Sequence, residues 1–291
     1  MRVTQSMLSN NMLRNLSTSY NSMGKLQDQI TTGKKVNRPS DDPVVAMKGI
    51  GYRTALDKVG QYQRNIGEVN SILDSSDDAL DQVGSALHRA KELVVQASTG
   101  TTSVEDRKAI ESELNQLRQH IQNLANTKVG DKHVFSGTKT TTPLYDNGYP
   151  ANDAAFKNSV EIEVFDGITM KANTNAIDLF KDIDQMFADI NAAAAAGAPS
   201  EDYTKFMTTI ENNVNSLLTT RADIGARQNR VELMDNRLQA QEVVATKQMS
   251  NNEDIDYEQV ITQMITQESV HRAALSVGAR IIQPTLTDFL R

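Results

Sequence analysis

Residues 43–97 read PVVAMKGIGYRTALDKVGQYQRNIGEVNSILDSSDDALDQVGSALHRAKELVVQA, and an apolar or small side chain returns along them at steps of three and four. The series is Val59, Tyr62, Ile66, Val69, Leu73, Ser76, Leu80, Val83, Leu87, Ala90, Val94, Ala97, and only Ser76 interrupts it. Such steps average 3.5 residues, which keeps one stripe of a helix facing a partner helix over many turns. Asp42 suits the N-cap, Pro43 the first helical position and Gly100 a left-handed stop, so both ends are written in the sequence. A helix of this length spans about 85 Å. That exceeds what an ordinary compact domain needs, and predicts a rod that sets a distance or packs beside copies of itself.

The composition of the 291 residues agrees: 38% are hydrophobic, 5% aromatic, and none is Trp. Cores are therefore thin, which argues against a deep aromatic-lined substrate pocket. A net charge of -7 leaves no basic footprint for nucleic acid. Zero cysteines exclude disulfides and thiolate metal sites, and suit either a cytosolic chain or an exported one that travels unfolded. The opening MRVTQSM lacks the apolar core of a secretory signal, and no segment reaches membrane-spanning length.

Outward from the rod, a weaker stripe runs through Ser9, Met12, Leu16, Ser19, Met23, Leu26 and Ile30 to a stop at Gly33, a helix that needs a partner. The two prolines of 34–43, Pro39 and Pro43, mark a non-helical joint. After Gly100, Thr102 and Glu105 are spaced as a capping box for a third helix carrying Ile110, Leu114, Leu117, Ile121 and Leu124, ending near Gly130 and folded back antiparallel on the rod. Residues 131–175 read as strand and loop: a short strand at 132–137, then Val160, Ile162 and Val164 alternating before the Asp166-Gly167 hairpin signal. A short amphipathic helix with Phe180, Ile183, Phe187 and Ile190 follows, and Ala192–Pro199 reads as a tether.

Ser200 opens a second long helix to about Met249, with the stripe Ile210, Val214, Leu217, Arg221, Ile224, Gln228, Val231, Asp235, Leu238, Glu242, Ala245, Met249. Every second position from Arg221 to Glu242 is polar, which predicts contacts to a neighbour through polar pairs as well as apolar packing. A polar break is expected at Ser250–Asp254. The last helix carries Tyr257, Ile261, Met264, Glu268, His271, Leu275, Gly278 and Ile282; Pro284 follows, then Leu286, Phe289 and Leu290. The fold class is mainly α: long antiparallel heptad helices in an elongated rod with a small β-containing insertion. Three regions are expected: terminal helices at 1–42 and 251–291 that pair with one another, rods at 43–140 and 197–250, and a separable insertion at 141–196.

No catalytic constellation emerges. His88, His120, His133 and His271 are scattered without the spacing of a helical ligand pair, Gly49-Ile50-Gly51 lacks the third glycine of a dinucleotide loop, and Gly33-Lys34 lacks the first glycine of a phosphate loop. Ser136-Gly137-Thr138-Lys139 stands without companion motifs. Asp41 and Asp42 could meet a cation, but N-capping beside Pro43 explains them better. No cofactor, metal or enzymatic activity is expected.

Several segments resemble the flagellin superfamily of bacterial axial proteins. The joint QITTGKKVNRPSDDP at 29–43 is similar to the family's link between terminal helix and rod, and RAKELVVQA at 89–97, HVFSGT at 133–138 and TLTDFL at 285–290 add to the likeness. Pro43, the opening Met1–Thr4 and QYQRNI at 61–66 resemble members found between hook and filament, more than the filament subunit itself. The resemblance covers residues 1 to about 140 and 200–291. It implies export unfolded through a flagellar type III apparatus with a chaperone, an extracellular place on the flagellum, and assembly as a ring of copies between hook-associated protein 1 and flagellin, the terminal helices ordering on assembly. On that reading the assembly surface is Leu13, Leu16, Met23, Leu26, Ile30, Ile261, Met264, Leu275, Ile282, Leu286, Phe289 and Leu290. The rod core is the stripe of 59–94 with Ile110, Leu114, Leu117, Ile121, Leu217, Ile224, Val231 and Leu238, and the joint is set by Pro39, Asp41, Asp42 and Pro43. A minor flagellin, or a cytosolic coiled-coil adaptor, is the alternative.

Overall fold

The computed structural model describes residues 5–99, 104–149, 154–195 and 200–282. Helices dominate: α1 (Gln5–Thr32), α2 (Pro43–Ser98), α3 (Val104–Ala125), α4 (Ala154–Lys157), α5 (Ile177–Ala195), α6 (Ser200–Glu253) and α7 (Tyr257–Ile282). Two antiparallel hairpins interrupt them, β1 (Lys128–Val129) with β2 (Lys132–His133), and β3 (Glu161–Phe165) with β4 (Ile168–Lys171). The chain divides into two compact units, Val59–Ala240 and the pair of segments Met1–Lys58 and Gln241–Arg291, with α2 and α6 contributing to both.

In the Val59–Ala240 unit the stripe of α2 is the floor of the core. Val69, Leu73, Leu80, Val83, Leu87 and Val94 are fully enclosed, Val59 and Ile66 nearly so, and Tyr62 is half-buried. Ser76 is tolerated there because its hydroxyl donates to the Ile72 carbonyl, 2.7 Å away, so no polar atom is stranded. From α3 come Ile110, Leu114 and Ile121, with Leu117 packed at the margin; from α6 come Ile210, Leu217, Ile224, Val231 and Leu238.

Between these apolar rungs α6 meets α2 through charge. Arg221 Nε donates to Asp77 at 2.8 Å and its other nitrogens reach Asp77 and Asp81, while Gln228 donates to Asp74 at 2.8 Å. Lys91 pairs with Glu211 at 2.8 Å, so numbers fall along α6 as they rise along α2 and the helices are antiparallel. Arg89 likewise reaches Glu113 of α3.

The insertion departs from the expectation of a separable module. Phe180, Ile183, Met186, Phe187 and Ile190 of α5 are enclosed in the same core as the long helices, and the Phe135 and Phe180 rings meet edge to face at 5.1 Å. Arg118 of α3 makes two bonds to Asp184 of α5, 2.7 and 2.8 Å, and Gln122 adds a third at 2.7 Å. Farther along, Asn65 of α2 donates to the Glu163 carbonyl of β3 at 2.7 Å, and the Arg237 guanidinium lies 4.1 Å from the Phe165 ring centroid.

Two local boundaries also move. Helix α3 stops at Ala125 and Gly130, at φ 59°, forms the β1–β2 turn. The expected strand at 132–137 pairs over Lys132–His133 alone: Val134 N still donates to the Thr127 carbonyl, but the Thr127 amide is turned back to Leu124 and gives no return bond, and the chain then turns at Ser136–Lys139. The hairpin at Asp166-Gly167 forms where its sequence places it, with a bulge between Glu163 and Phe165. Gly100 and Thr102, assigned to a stop and a cap, lie outside the described residues.

Candidate assembly surface

In the other unit α1 and α7 lie antiparallel. Met12 rests on Gly278, the Gln267 amide donates to Ser19 at 3.1 Å, and the Tyr20 and His271 rings sit 6.2 Å apart. A β-carbon on Gly278 would fall 1.7 Å from the Met12 methyl, so the absent side chain is what lets methionine lie against the α7 backbone. The inward stripe of α1 is Met12, Leu16, Ser19, Met23, Leu26 and Ile30, each half-buried; on α7 it is Val260, Met264, His271 and Gly278.

Both helices end in a crossed joint. Gly33, at φ 70°, stops α1, and the next residues bridge the far joint: Lys35 N donates to the Glu253 carbonyl at 2.6 Å and Ile255 N to the Gly33 carbonyl at 3.1 Å. Glu253, 7% exposed, is the polar centre of this crossing. Its carboxylate accepts from Arg53 at 2.7 Å and lies 3.5 Å from Lys34, over Gly49, where a β-carbon would come within 2.3 Å of it. Lys34 donates to Asp254 at 2.6 Å; that bond raises the Lys34 pKa and, with a second from Ser250, lowers that of Asp254. Asp42 caps α2 by accepting from Val44 N and Val45 N at 2.9 and 3.1 Å, Asp41 lies 3.5 Å from Lys25, and Pro39 and Pro43 are exposed.

This crossing corrects one expectation. The sequence predicts a break at Ser250, Asn251 and Asn252, but α6 runs through them to Glu253 and the chain turns only at Asp254–Asp256. Burial of Glu253 and Ile255 carries the helix past three poor helix formers, and Asp256 then caps α7 through Glu258 N and Gln259 N.

The expected assembly residues fall into two sets. Leu16, Met23, Leu26, Ile30 and Met264 already face the partner helix of the same chain. Leu13 and Leu275 flank a groove between the two helices beside Met12 and Gly278 and stay 56% and 47% exposed, and Ile261 is 45% exposed. The side chain of Ile282, and Leu286, Phe289 and Leu290 altogether, lie outside the described residues. Exposed beside the second set are Met7, Leu8 and Tyr20 of α1 and Ile265, Val270 and Val277 of α7, which heptad reading passes over because they sit off the stripe. A different signal marks them. Only Arg14, Lys25 and Asp28 are charged in α1, and in α7 only Glu258, Glu268, Arg272 and Arg280, two of these paired with each other. The shorter α3 carries Glu105, Asp106, Arg107, Lys108, Glu111, Glu113 and Arg118. Outer faces made of Ser, Thr, Asn, Gln and apolar residues desolvate at far lower cost than charged ones, as faces that become covered must.

Among the described residues no cluster of His, Asp and Glu could hold a metal ion, and no helix is long and apolar enough to cross a membrane. The candidate site is thus the outer sides of two helices that cover each other on one side only. Its class is that of an axial helical protein of the bacterial flagellum: the bacterial flagellin N-terminal helical region matches residues 3–140 and the C-terminal helical region residues 207–290, together well over half of the chain, which belongs to the flagellin family. Within it, the chain is 27% identical to flagellar hook-associated protein 3 of Escherichia coli, over 94% of this chain and 95% of that one. It is 25% identical to flagellin of Bacillus subtilis, over 97% of each. The fold matches the crystal structure of Bacillus cereus FlgL with a TM-score of 0.60 at 23% identity, covering 69% of this chain and 99% of that one.

Proposed function

We propose that this chain is a structural piece of the flagellum that joins hook to filament, with copies arranged around the axis through α1 and α7. The observation that carries the reading is the pair of nearly charge-free terminal helices, covered on one side by each other and bare on the other. Their exposed Leu13, Ile261 and Leu275, with Met7, Tyr20 and Ile265, are the contacts assigned to neighbouring subunits, and Leu286, Phe289 and Leu290 extend that assignment. The partners are hook-associated protein 1 on one side and flagellin on the other; export through the flagellar type III apparatus with a chaperone delivers the chain to the cell exterior. The terminal helices, the rods and the insertion are proposed as the assembly, spacing and bracing parts.

The full-length match to a flagellin favours one competing reading, a minor filament subunit. Deleting the gene separates them. A junction piece, once lost, leaves hooks without filaments and flagellin shed into the medium, and in sheared flagella from the parent strain it is present in a few copies per filament. Filaments that persist in the deletion strain, or a protein recovered as bulk filament mass, would overturn the junction reading.

A further inference from the structure

The Val59–Ala240 unit carries a notch and a knob on roughly opposite sides of α6. The notch, about 480 Å³, lies where α6 faces α2 and has Ile66, Gly67 and Val231 at its base and Asp74, Glu232 and Asp235 on its rim. Gly67 has no atom within 4 Å of the place a β-carbon would take, so nothing of the chain itself fills it. Around α6, Gln228, Val231, Glu232 and Asp235 turn one side to the notch; at 100° per residue, Leu233 stands on the other. Leu233 is 69% exposed, with Arg230 and Arg237 one turn before and after it, both exposed.

An isolated leucine on a helix surface needs no explanation. Here the same chain offers its complement, an apolar base open to solvent within a ring of three carboxylates, matched to a leucine flanked by two guanidiniums. Asp74 accepts from Gln228 on one oxygen and from Asn70 on the other, and Asp235 accepts from Gln239, which holds these rim acids in place; each carboxylate oxygen keeps lone-pair capacity to accept from arginine as well. Arg237 lies over the Phe165 ring, a contact that occupies the face of a guanidinium and not its N–H edge.

We infer that Leu233 of one copy docks into the Ile66–Val231 notch of a second copy, Arg230 and Arg237 facing Asp74, Glu232 and Asp235. The contact uses different surfaces on the two partners, so it repeats from copy to copy and closes a ring or winds a helix instead of stopping at a dimer. It lies wholly in the Val59–Ala240 unit and does not depend on the terminal-helix assignment.

The chain has no cysteine, which makes the test clean. Full-length Gly67→Cys and Leu233→Cys proteins, one carrying a mass tag, are mixed, concentrated and oxidised, and covalent species are separated by size. A mixed Gly67→Cys/Leu233→Cys disulfide dominating both like-with-like products is expected. Adding Glu232→Arg to the Gly67→Cys protein lowers its yield by about tenfold through like-charge repulsion, and adding Arg230→Glu to the Leu233→Cys protein restores it. The inference is overturned by a dominant Leu233→Cys homodimer, which marks a face-to-face contact, by a yield indifferent to the charge exchange, or by light scattering that shows no self-association up to the solubility limit. None of these outcomes bears on the gene-deletion result, so the two readings fail separately.

Discussion

Replacing Asp184 by asparagine removes one charge from the link between α3 and α5 and keeps its shape. In the native chain the carboxylate, whose side chain is 19% exposed, receives two bonds from Arg118 and one from Gln122. Burial acts to raise its pKa, but the bonds from Arg118 and Gln122 outweigh that and hold it below the ordinary 3.8. In the Asp184→Asn protein a guanidinium with only 29% of its side chain exposed faces a neutral amide. Breaking a buried pair by removing one partner costs about 3–5 kcal/mol, and partial solvent access on both sides brings the expectation here to about 2–3 kcal/mol. Urea unfolding at pH 7 is the assay. The sign with pH follows from linkage: a depressed carboxylate pKa contributes stability that is present at neutral pH and is lost as pH falls below 3.8 and through the folded value, so the gap between native and Asp184→Asn proteins must shrink on acidification. A double replacement, Arg118→Met with Asp184→Leu, should recover most of the loss, because an apolar pair leaves no charge stranded. Equal stability of the native and Asp184→Asn proteins at pH 7, or a gap that widens in acid, would refute the reasoning and with it the placement of α5 in the common core.

Leu87→Asp puts a charge on the fully enclosed stripe of α2 and should cost several kcal/mol, while Asp at exposed Gln82 should be nearly neutral; equal melting temperatures would mean the stripe is misassigned. Gly278→Ala drives a methyl into Met12, and the overpacking cost of about 1–3 kcal/mol is partly offset by better helix propensity. Met12→Ala in the same chain should restore α1–α7 pairing, read by hydrogen exchange in the two helices, and no difference between single and double variants would refute the Met12–Gly278 contact. Glu253→Ala should speed exchange at the Lys35 and Ile255 amides with little change in the core amides of α2; protection undiminished at both would show that the crossing does not rely on this carboxylate.

The long-range skeleton is legible in the sequence because that skeleton is periodic. Residues from Val59 to Ala97 advertise their burial by spacing alone, and the polar half of the α6 stripe foretells charged rungs, met by Asp74, Asp77 and Asp81. Local pattern places the break after α6 too early because Glu253 is helical for a non-local reason, its pairing with Arg53 and Lys34 from the start of the chain. The insertion reads as separable because a small hairpin and one short helix have too few residues to show what they pack on; Phe180 and Asp184 find partners, Phe135 and Arg118, that no local pattern names. On the terminal helices, heptad reading finds the inward stripe and misses the outward one. Ile265 and Val277 become legible only through the scarcity of charge around them.

The alternation of apolar and charged rungs between α2 and α6 acts as a vernier. Two stripes of pure leucine and valine fit nearly as well after a slip of seven residues, so their alignment is degenerate. With Arg221 on one scale and Asp77 and Asp81 on the other, a slip one way sets the guanidinium against Gly84 and His88, and the other way against Asn70 and Asp74. Either step forfeits at least one carboxylate, so a single graduation lines up. Gln228 on Asp74 and Lys91 on Glu211 are further marks on the same scale, so the two long helices keep one calibrated length of overlap.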